Sequence, residues 1–351
     1  MNFKDYIIEN KSMSELNEVE LELFVDFILR REKELEPDDP LPDRNVIEKM
    51  FTEKRPYEDS SKFFAWDKER SKLIAHASIG KSSQSSPQYE SNKHRCWGDV
   101  EVDEKFRNQG LGSYLLIKLL EKVIEWDKES LDIYCIEESG HNFYKAKGIG
   151  IEALSGIESR VYFSDMDWDL MQEWNAIGEK LAGEVKLHTF VEVPEVLLED
   201  FCKAYTVMEN LVPKGEQDWK ALITPESRRE LEKRMRERKT IWLTKMTEER
   251  NGALSGITEV HINEESAFWA SQELTAVIPQ YRGRGLGKWL KANMALYLKE
   301  NYPNIKFIQT GNADVNAPML AINTQMGFKP HRKYVSYKIG NADIQRFLQT
   351  D

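Results

Sequence analysis

The stretch Ala276-Val277-Ile278-Pro279-Gln280-Tyr281-Arg282-Gly283-Arg284-Gly285-Leu286-Gly287, followed by Lys288-Trp289-Leu290, decides how this chain is read. It has the letters of a strand end, a tight turn and a helix start. Glycines at three alternate positions leave the backbone N–H groups uncovered by side chains. With Arg282, Arg284 and Lys288 alongside, the helix start is an anion site, because its unpaired N–H groups and its dipole point outward. The expected anion is a phosphate, most simply a pyrophosphate. The same letters also suit a plain strand-to-helix turn with solvated basic residues.

Counting excludes two phosphate motifs. A P-loop needs a glycine five positions before its Gly-Lys, where Arg282 stands, and Ser or Thr after Lys288, where Trp289 stands. A dinucleotide loop starting at Gly283 needs glycine at 288, which is lysine. What fits is Arg-x-x-Gly-x-Gly. Downstream, residues 305–312 read as a strand, and Asn316 to Met326 as a helix stopped by Gly327 before Phe328. Met319, Ile322 and Met326 fall at helical spacing, which is also what ordinary core packing needs.

The pattern occurs twice. Arg107, Gly110, Leu111, Gly112 and Leu115 align with Arg282, Gly285, Leu286, Gly287 and Leu290. An apolar helix follows Gly112, then the strand 131–136, then Phe143-Tyr144-Lys145-Ala146-Lys147-Gly148. The two copies lie 175 residues apart, so the repeat means two domains, not a solenoid.

Composition agrees. A chain of 351 residues is long enough for two ordinary cores. Its 40% apolar and 31% charged content describes a globular protein. A net charge of −11 argues against general binding to nucleic acid or anionic membranes. No run approaches the ~18 apolar residues of a span, and Met1 to Asp5 has no leader pattern. Cys96, Cys135 and Cys202 are odd in number and far apart, which reads as reduced thiols in a cytoplasmic protein. No His-x-His or His-Glu-x-x-His occurs among the six histidines, so no metal site is expected.

In chain order the expected elements begin with an edge strand over 3–8 and an amphipathic helix over 14–34. A helix over 45–51, strands over 63–66 and 73–80, and a polar loop over 81–93 follow. The strand 94–102 enters the first glycine turn, and 161–163 closes the first half. A helix over 167–182 lies between the halves. The second half has a strand over 186–191, helices over 194–210 and 225–239, and strands over 240–246, 253–262 and 268–278. It ends with a helix over 287–300, the strand 305–309, the helix 316–326 and a strand near 332–339. These bounds give domains at 1–166 and 186–351, joined by 167–185.

Both halves resemble the GNAT superfamily of N-acetyltransferases: Arg-x-x-Gly-x-Gly resembles their coenzyme A pyrophosphate loop, and Asn316, Gly327 and Phe328 match their second motif. The tandem arrangement resembles, distantly, mycothiol synthase. The resemblance implies an α/β (α+β) chain of two tandem folds, each a mixed, mostly antiparallel sheet with flanking helices and a splayed parallel strand pair. It implies acetyl-CoA as cosubstrate, with no metal, and a small-molecule or peptide amine as acceptor. Nucleic-acid and membrane partners are not expected, and the chain is expected as a monomer or homodimer. Arg282 to Lys288, with Val277, Asn312 and Asn316, are the expected coenzyme contacts, and Arg107, Gly110 and Gly112 their weaker counterparts.

The same resemblance assigns candidate chemistry. Glu273 stands where the family often carries an acidic base, though a strand glutamate paired with a neighbouring cation has the same letters. Asn323 stands where the family has a tyrosine acid. In the first half Tyr144 holds the acid position, but Gly98 and Glu137 replace the base and the asparagine. Asp99, Glu101 and Asp103 share a strand face, which a solvated surface would also produce. The second half is therefore expected to be catalytic and the first a degenerate copy. The alternative is a non-catalytic acyl-CoA-binding sensor or assembly protein.

Overall fold

A computed structural model describes residues 6–265 and 267–350 of the chain; Phe3 to Asp5 of the expected first strand, and the Met1 to Asp5 start, lie outside them. The strands in chain order are β1 (Tyr6–Lys11), β2 (Glu58–Asp67), β3 (Leu73–Ser82), β4 (Arg95–Val102), β5 (Ser130–Cys135), β6 (Ile151–Tyr162), β7 (Val185–Phe190), β8 (Thr240–Glu249), β9 (Leu254–Asn263), β10 (Trp269–Val277), β11 (Phe307–Ala313) and β12 (Lys329–Gly340).

The chain divides into two compact units that are not contiguous in sequence. The first comprises residues 1–155, 215–219 and 334–351; the second comprises 156–214 and 220–333. Residues 156–166 thus belong to the second unit and 334–351 to the first, where the sequence reading ran each domain unbroken. The reason is strand pairing. Residues 335–340 of β12 pair antiparallel with β5, and residues 156–162 of β6 pair antiparallel with β11. The helix Trp168–Asn175, expected between domains, packs Met171 and Trp174 into the core of the second unit.

Each unit carries a mixed α/β fold around one mostly antiparallel sheet. In the first, β1 to β4 pair antiparallel in sequence order, β4 and β5 pair parallel, and the last segment of β12 closes the sheet. The helix Leu111–Glu125 buries Leu115, Leu116, Leu119 and Val123 at helical spacing against one sheet face. On the other face the helix Glu18–Leu35 packs Phe24, Phe27 and Ile28 against Phe64, Trp66 and Leu73. The second unit repeats this plan. The strands β7 to β10 pair antiparallel, β10 and β11 pair parallel, and β6 closes the sheet. The helix Leu286–Asn301 covers one face through Ala292, Met294, Ala295 and Leu298. The helix Glu195–Asn210 covers the other through Leu198, Phe201 and Met208.

Both parallel pairs are short. Pairing of β4 with β5 stops at Gly98 and Ile133, and pairing of β10 with β11 stops at Gln272 and Thr310. Beyond those points the strands diverge while still running to the glycine turns. The first helix is Glu18–Leu35 with a one-turn lead-in at Met13–Glu15, and the loop over 81–93 contains the short helix Tyr89–Asn92. The final helix Asn341–Thr350 has no counterpart in the expected elements. Among the described residues no helix is long and apolar enough to cross a membrane.

Candidate functional site

The two glycine turns share one backbone design. Gly285 and Gly110 sit in the left-handed region at φ +83° and +87°, immediately before their helices. Gly283 (φ +82°) and Asn108 (φ +60°) occupy the matching earlier position, which a glycine or asparagine tolerates best. The equivalent arginines of the two turns are pinned alike. Arg282 Nε donates to the Val277 carbonyl at 2.9 Å, and Arg107 Nε to the Val102 carbonyl at 3.1 Å.

What surrounds the turns differs. Arg107 is tied to Glu34 at 2.5 Å and Glu137 at 3.2 Å, and Arg31 reaches the same Glu137 at 2.6 Å. Carboxylates of the first unit therefore occupy its own guanidinium. Arg282 has no ion pair among the described residues, and Lys288 donates to Gln325 at 3.1 Å and lies 4.6 Å from the centre of the Trp174 ring. Arg284 points elsewhere, paired with Glu249 at 2.7 Å and Glu184 at 3.6 Å.

Two adjoining cavities fill the gap where β10 leaves β11. The first, about 710 Å³, begins at Arg282, Gly283, Gly285, Leu286, Gly287 and Lys288 and follows Val277, Ala276 and Thr275. The second, about 510 Å³, is lined by Glu273, Glu259, Glu209, His261, Lys291 and Asn312 among others. Thr275, Val212, Asn316 and Met319 line both. Of the expected coenzyme contacts, all but Arg284 in the second unit thus line one cleft.

Glu273 sits in a β-bulge. Gln272 pairs with Val260, but the next pair is Thr275 with Thr258, so one extra residue is inserted in β10. Strict alternation would put Glu273 on one face with Thr275 and Val277. The bulge breaks it. Thr275 bonds back to Gln272 and Thr258, and Val277 packs toward Leu286, while Leu274 and Ala276 pack on the opposite side. Glu273 instead meets Ser271, whose hydroxyl donates to it at 2.5 Å, and His261 Nδ1 at 3.5 Å. Its side chain keeps 39% exposure through the cavity while protein crowds it on the remaining sides. That desolvation raises its pKa above the carboxylate norm, against the Ser271 hydrogen bond. Burial holds His261 neutral, with a pKa down to about 4.

The wall behind Glu273 was not legible as a site in the sequence. Glu259 is fully buried and accepts from Tyr205 at 2.9 Å, Thr244 at 3.0 Å and Arg228 at 3.4 Å. Arg228, also fully buried, lies 3.6 Å from the Trp242 ring centre. Glu209 is pushed up in pKa by burial and then by the charge of Glu259. The only available signal was the alternation Glu259, His261 on β9, which an edge strand facing water would also give.

The tyrosine positions resolve differently. Asn323 is buried and donates to Asn312 at 2.6 Å, so it positions a cavity-lining side chain without facing the cleft itself. Tyr144 lies in the core of the first unit, its ring 4.8 Å from Tyr337, and burial raises its pKa well above normal. Gly112 packs near Val102 and Phe143. Asp99 and Glu101 lie on the diverging part of β4. Burial raises both, Glu101 to about 7, with the charge of Asp99 adding to it. Asp103 is engaged by Lys72 at 2.7 Å and Arg30 at 3.2 Å. The three cysteines are free, and among the described residues no cluster could hold a metal ion.

Comparison with known proteins places this geometry. Residues 26–149 match the Acetyltransferase (GNAT) family model, the half whose arginine is occupied by carboxylates. No curated protein matches by sequence. The fold is similar to a tandem GNAT protein from the clavulanic acid biosynthesis pathway, at TM-score 0.74 and 18% identity, covering 96% of this chain and 98% of that one. A GCN5-related N-acetyltransferase from Sphaerobacter thermophilus aligns at 0.63 and 14%, covering 95% of each. Saccharomyces cerevisiae N-myristoyltransferase with bound myristoyl-CoA aligns at 0.53 and 12%, covering 95% of this chain and 82% of that one. A GNAT family model thus matches residues 26–149, and over nearly its whole length the chain has a fold similar to that of a tandem GNAT protein.

Proposed function

We propose that the second unit is an N-acyltransferase site that uses acetyl-CoA and acylates a primary amine. The observation that carries this is the cleft itself: a glycine cradle with an unpaired arginine opens into a polar chamber holding a desolvated carboxylate. The residues fit the coenzyme. Nothing lies within 4 Å of a Cβ built on Gly283, and Arg282 and Lys288 stand beside the helix start, so a pyrophosphate has open N–H groups and two cations. The edge of β10 beyond Gln272 is unpaired by β11, which leaves backbone groups free for the amides of a pantetheine arm.

Glu273 takes the proton of the incoming ammonium, which opens the amine lone pair for attack on the thioester carbonyl. Its raised pKa brings it nearer the proton it must accept. Backbone N–H groups of the diverging edge stabilise the developing oxyanion. The carbon–sulfur bond then breaks as the adduct nitrogen gives up its second proton, and that proton passes, directly or through solvent, to the leaving thiolate. Asn323 has no acidic proton to transfer, and it acts by orienting Asn312.

The test is Gly285→Glu. The position has positive φ, and a side chain there meets Ile177 at 3.0 Å and carries a negative charge into the cradle. Calorimetry is expected to show loss of acetyl-CoA binding in a folded variant, and unchanged affinity overturns the reading. Free-thiol release with an amine panel separates an enzyme from a binding protein without chemistry.

A further inference from the structure

Lys291 is out of place on its helix. It lies on the buried stripe of Leu286–Asn301 with Gly287, Met294 and Leu298, one turn past the glycine cradle, where the packing asks for an apolar side chain. It is 1% exposed, yet it lines the chamber that holds Glu273. Among the described residues no carboxylate stands within ion-pairing distance, and its amine has no hydrogen bond; its neighbour is the Phe328 ring, 5.2 Å away. Desolvation alone pulls its pKa down to about 7. A buried amine without a partner is a destabilising element that an anion in the chamber would complete.

The rest of the chamber has the opposite polarity. Glu259 is answered by Arg228 and Glu158 by Arg332. Among the described residues Glu209 has no ion pair, and the ionisable partner of Glu273 is His261, which is neutral. The lining of one cavity therefore offers two carboxylates without a cationic ion-pair partner and one amine without an anionic one among the described residues.

Resting on the acyl-transfer reading of this cleft, we infer that the acceptor is an amino carboxylate: its amine is met by Glu273 and Glu209, and its carboxylate is held by Lys291. The chemistry that recognises it is a free amino acid. An amide or a simple diamine lacks the group that Lys291 answers.

The test uses the full chain with glycine, alanine, ornithine, lysine and histidine, each beside its carboxamide. Turnover is followed as free-thiol release from acetyl-CoA. Binding is followed separately by calorimetry of lysine and lysinamide in the presence of coenzyme A. The acid forms are expected to win in kcat/KM and in affinity by about ten- to a hundredfold, the worth of a charge-assisted hydrogen bond. Lys291→Met and Lys291→Gln, of similar volume, are expected to bring that ratio close to one. Equal handling of acids and amides, no binding by any acid, or a ratio that survives in both variants overturns the inference. Slower thiol release with the ratio intact also overturns it and assigns Lys291 to the leaving thiolate. No thiol release from any amine, with the acid preference intact in binding, overturns the acyl-transfer reading alone.

Discussion

Glu273 and Lys291 illustrate how one chamber shifts opposite charges toward neutrality. Each is penalised by desolvation, so the carboxylate rises and the amine falls. As the proposed base, Glu273 works only when deprotonated, so the wild-type rate is expected to climb with pH through its raised pKa, above the ordinary 4.5. Glu273→Gln is expected to lower kcat at pH 7 on the order of a hundredfold to ten-thousandfold. The loss should shrink at high pH, where an α-amine (pKa near ~8) or a lysine-like amine (near ~10) sheds its own proton. Wild-type kcat at pH 7 would remove Glu273 from the mechanism. Lys291 is protonated in the unfolded chain up to about pH 10.5 but in the fold only to about 7. The unfolded state therefore binds more protons between those values, and the burial penalty is fullest below pH 7. Lys291→Met should stabilise the ligand-free protein at pH 7 and do so less as pH rises toward 10.5, read as denaturant midpoints across pH. Tyr144 offers the contrast. Its phenol is part of the first unit's core, and Tyr144→Phe should change kcat by less than about threefold, in keeping with an isosteric core swap. A hundredfold loss would bring the first unit into the chemistry.

At the scale of elements, the same turn is built twice and furnished differently. The φ angles and the arginine anchor agree between the halves, so the loops are equivalent as backbone. Glu34 and Glu137 neutralise Arg107 and place negative charge where a pyrophosphate would bring its own. Gly110→Glu should therefore lower acetyl-CoA turnover less than Gly285→Glu, measured in variants shown folded by circular dichroism. The reverse order would move the active cleft to the first unit, whose diverging strand carries Asp99 and Glu101. The bulge in β10 belongs to this scale as well. It adds one residue and re-aims Glu273 toward His261 without moving the glycine turn.

For the whole molecule, the consequence of the strand bookkeeping is that neither half of the sequence is a complete fold. Residues 1–166 lack Val335, Tyr337, Ile339, Ile344 and Phe347, all buried in the first unit's core. At roughly 1.5–3 kcal/mol for each buried side chain, their loss is on the order of 10 kcal/mol, as large as the stability of an ordinary domain. A fragment ending at 166 is expected to be unfolded or aggregated by circular dichroism and size exclusion. Adding 334–351 on the same chain through a flexible linker should restore a cooperative transition. A fragment that folds alone with a sharp melt overturns this reading.

The sequence by itself determined the repeated strand–turn–helix, its glycine positions, and the alternation of strands and helices. These are local matters: a positive φ wants glycine, and a 3.6-residue period reports a buried stripe within one segment. It also named the glycine-turn end of the cleft, because that end is one continuous stretch. Three things only the tertiary structure decided. The closing strands change units because pairing energy does not depend on distance along the chain. Glu273 changes face because one inserted residue reverses a period-two pattern, and no single strand's letters announce a bulge. Lys291 and Glu209 become cavity-lining residues because packing brings both to one chamber without an ion partner among the described residues, and the absence of a partner is a property of the neighbours, not of the residue.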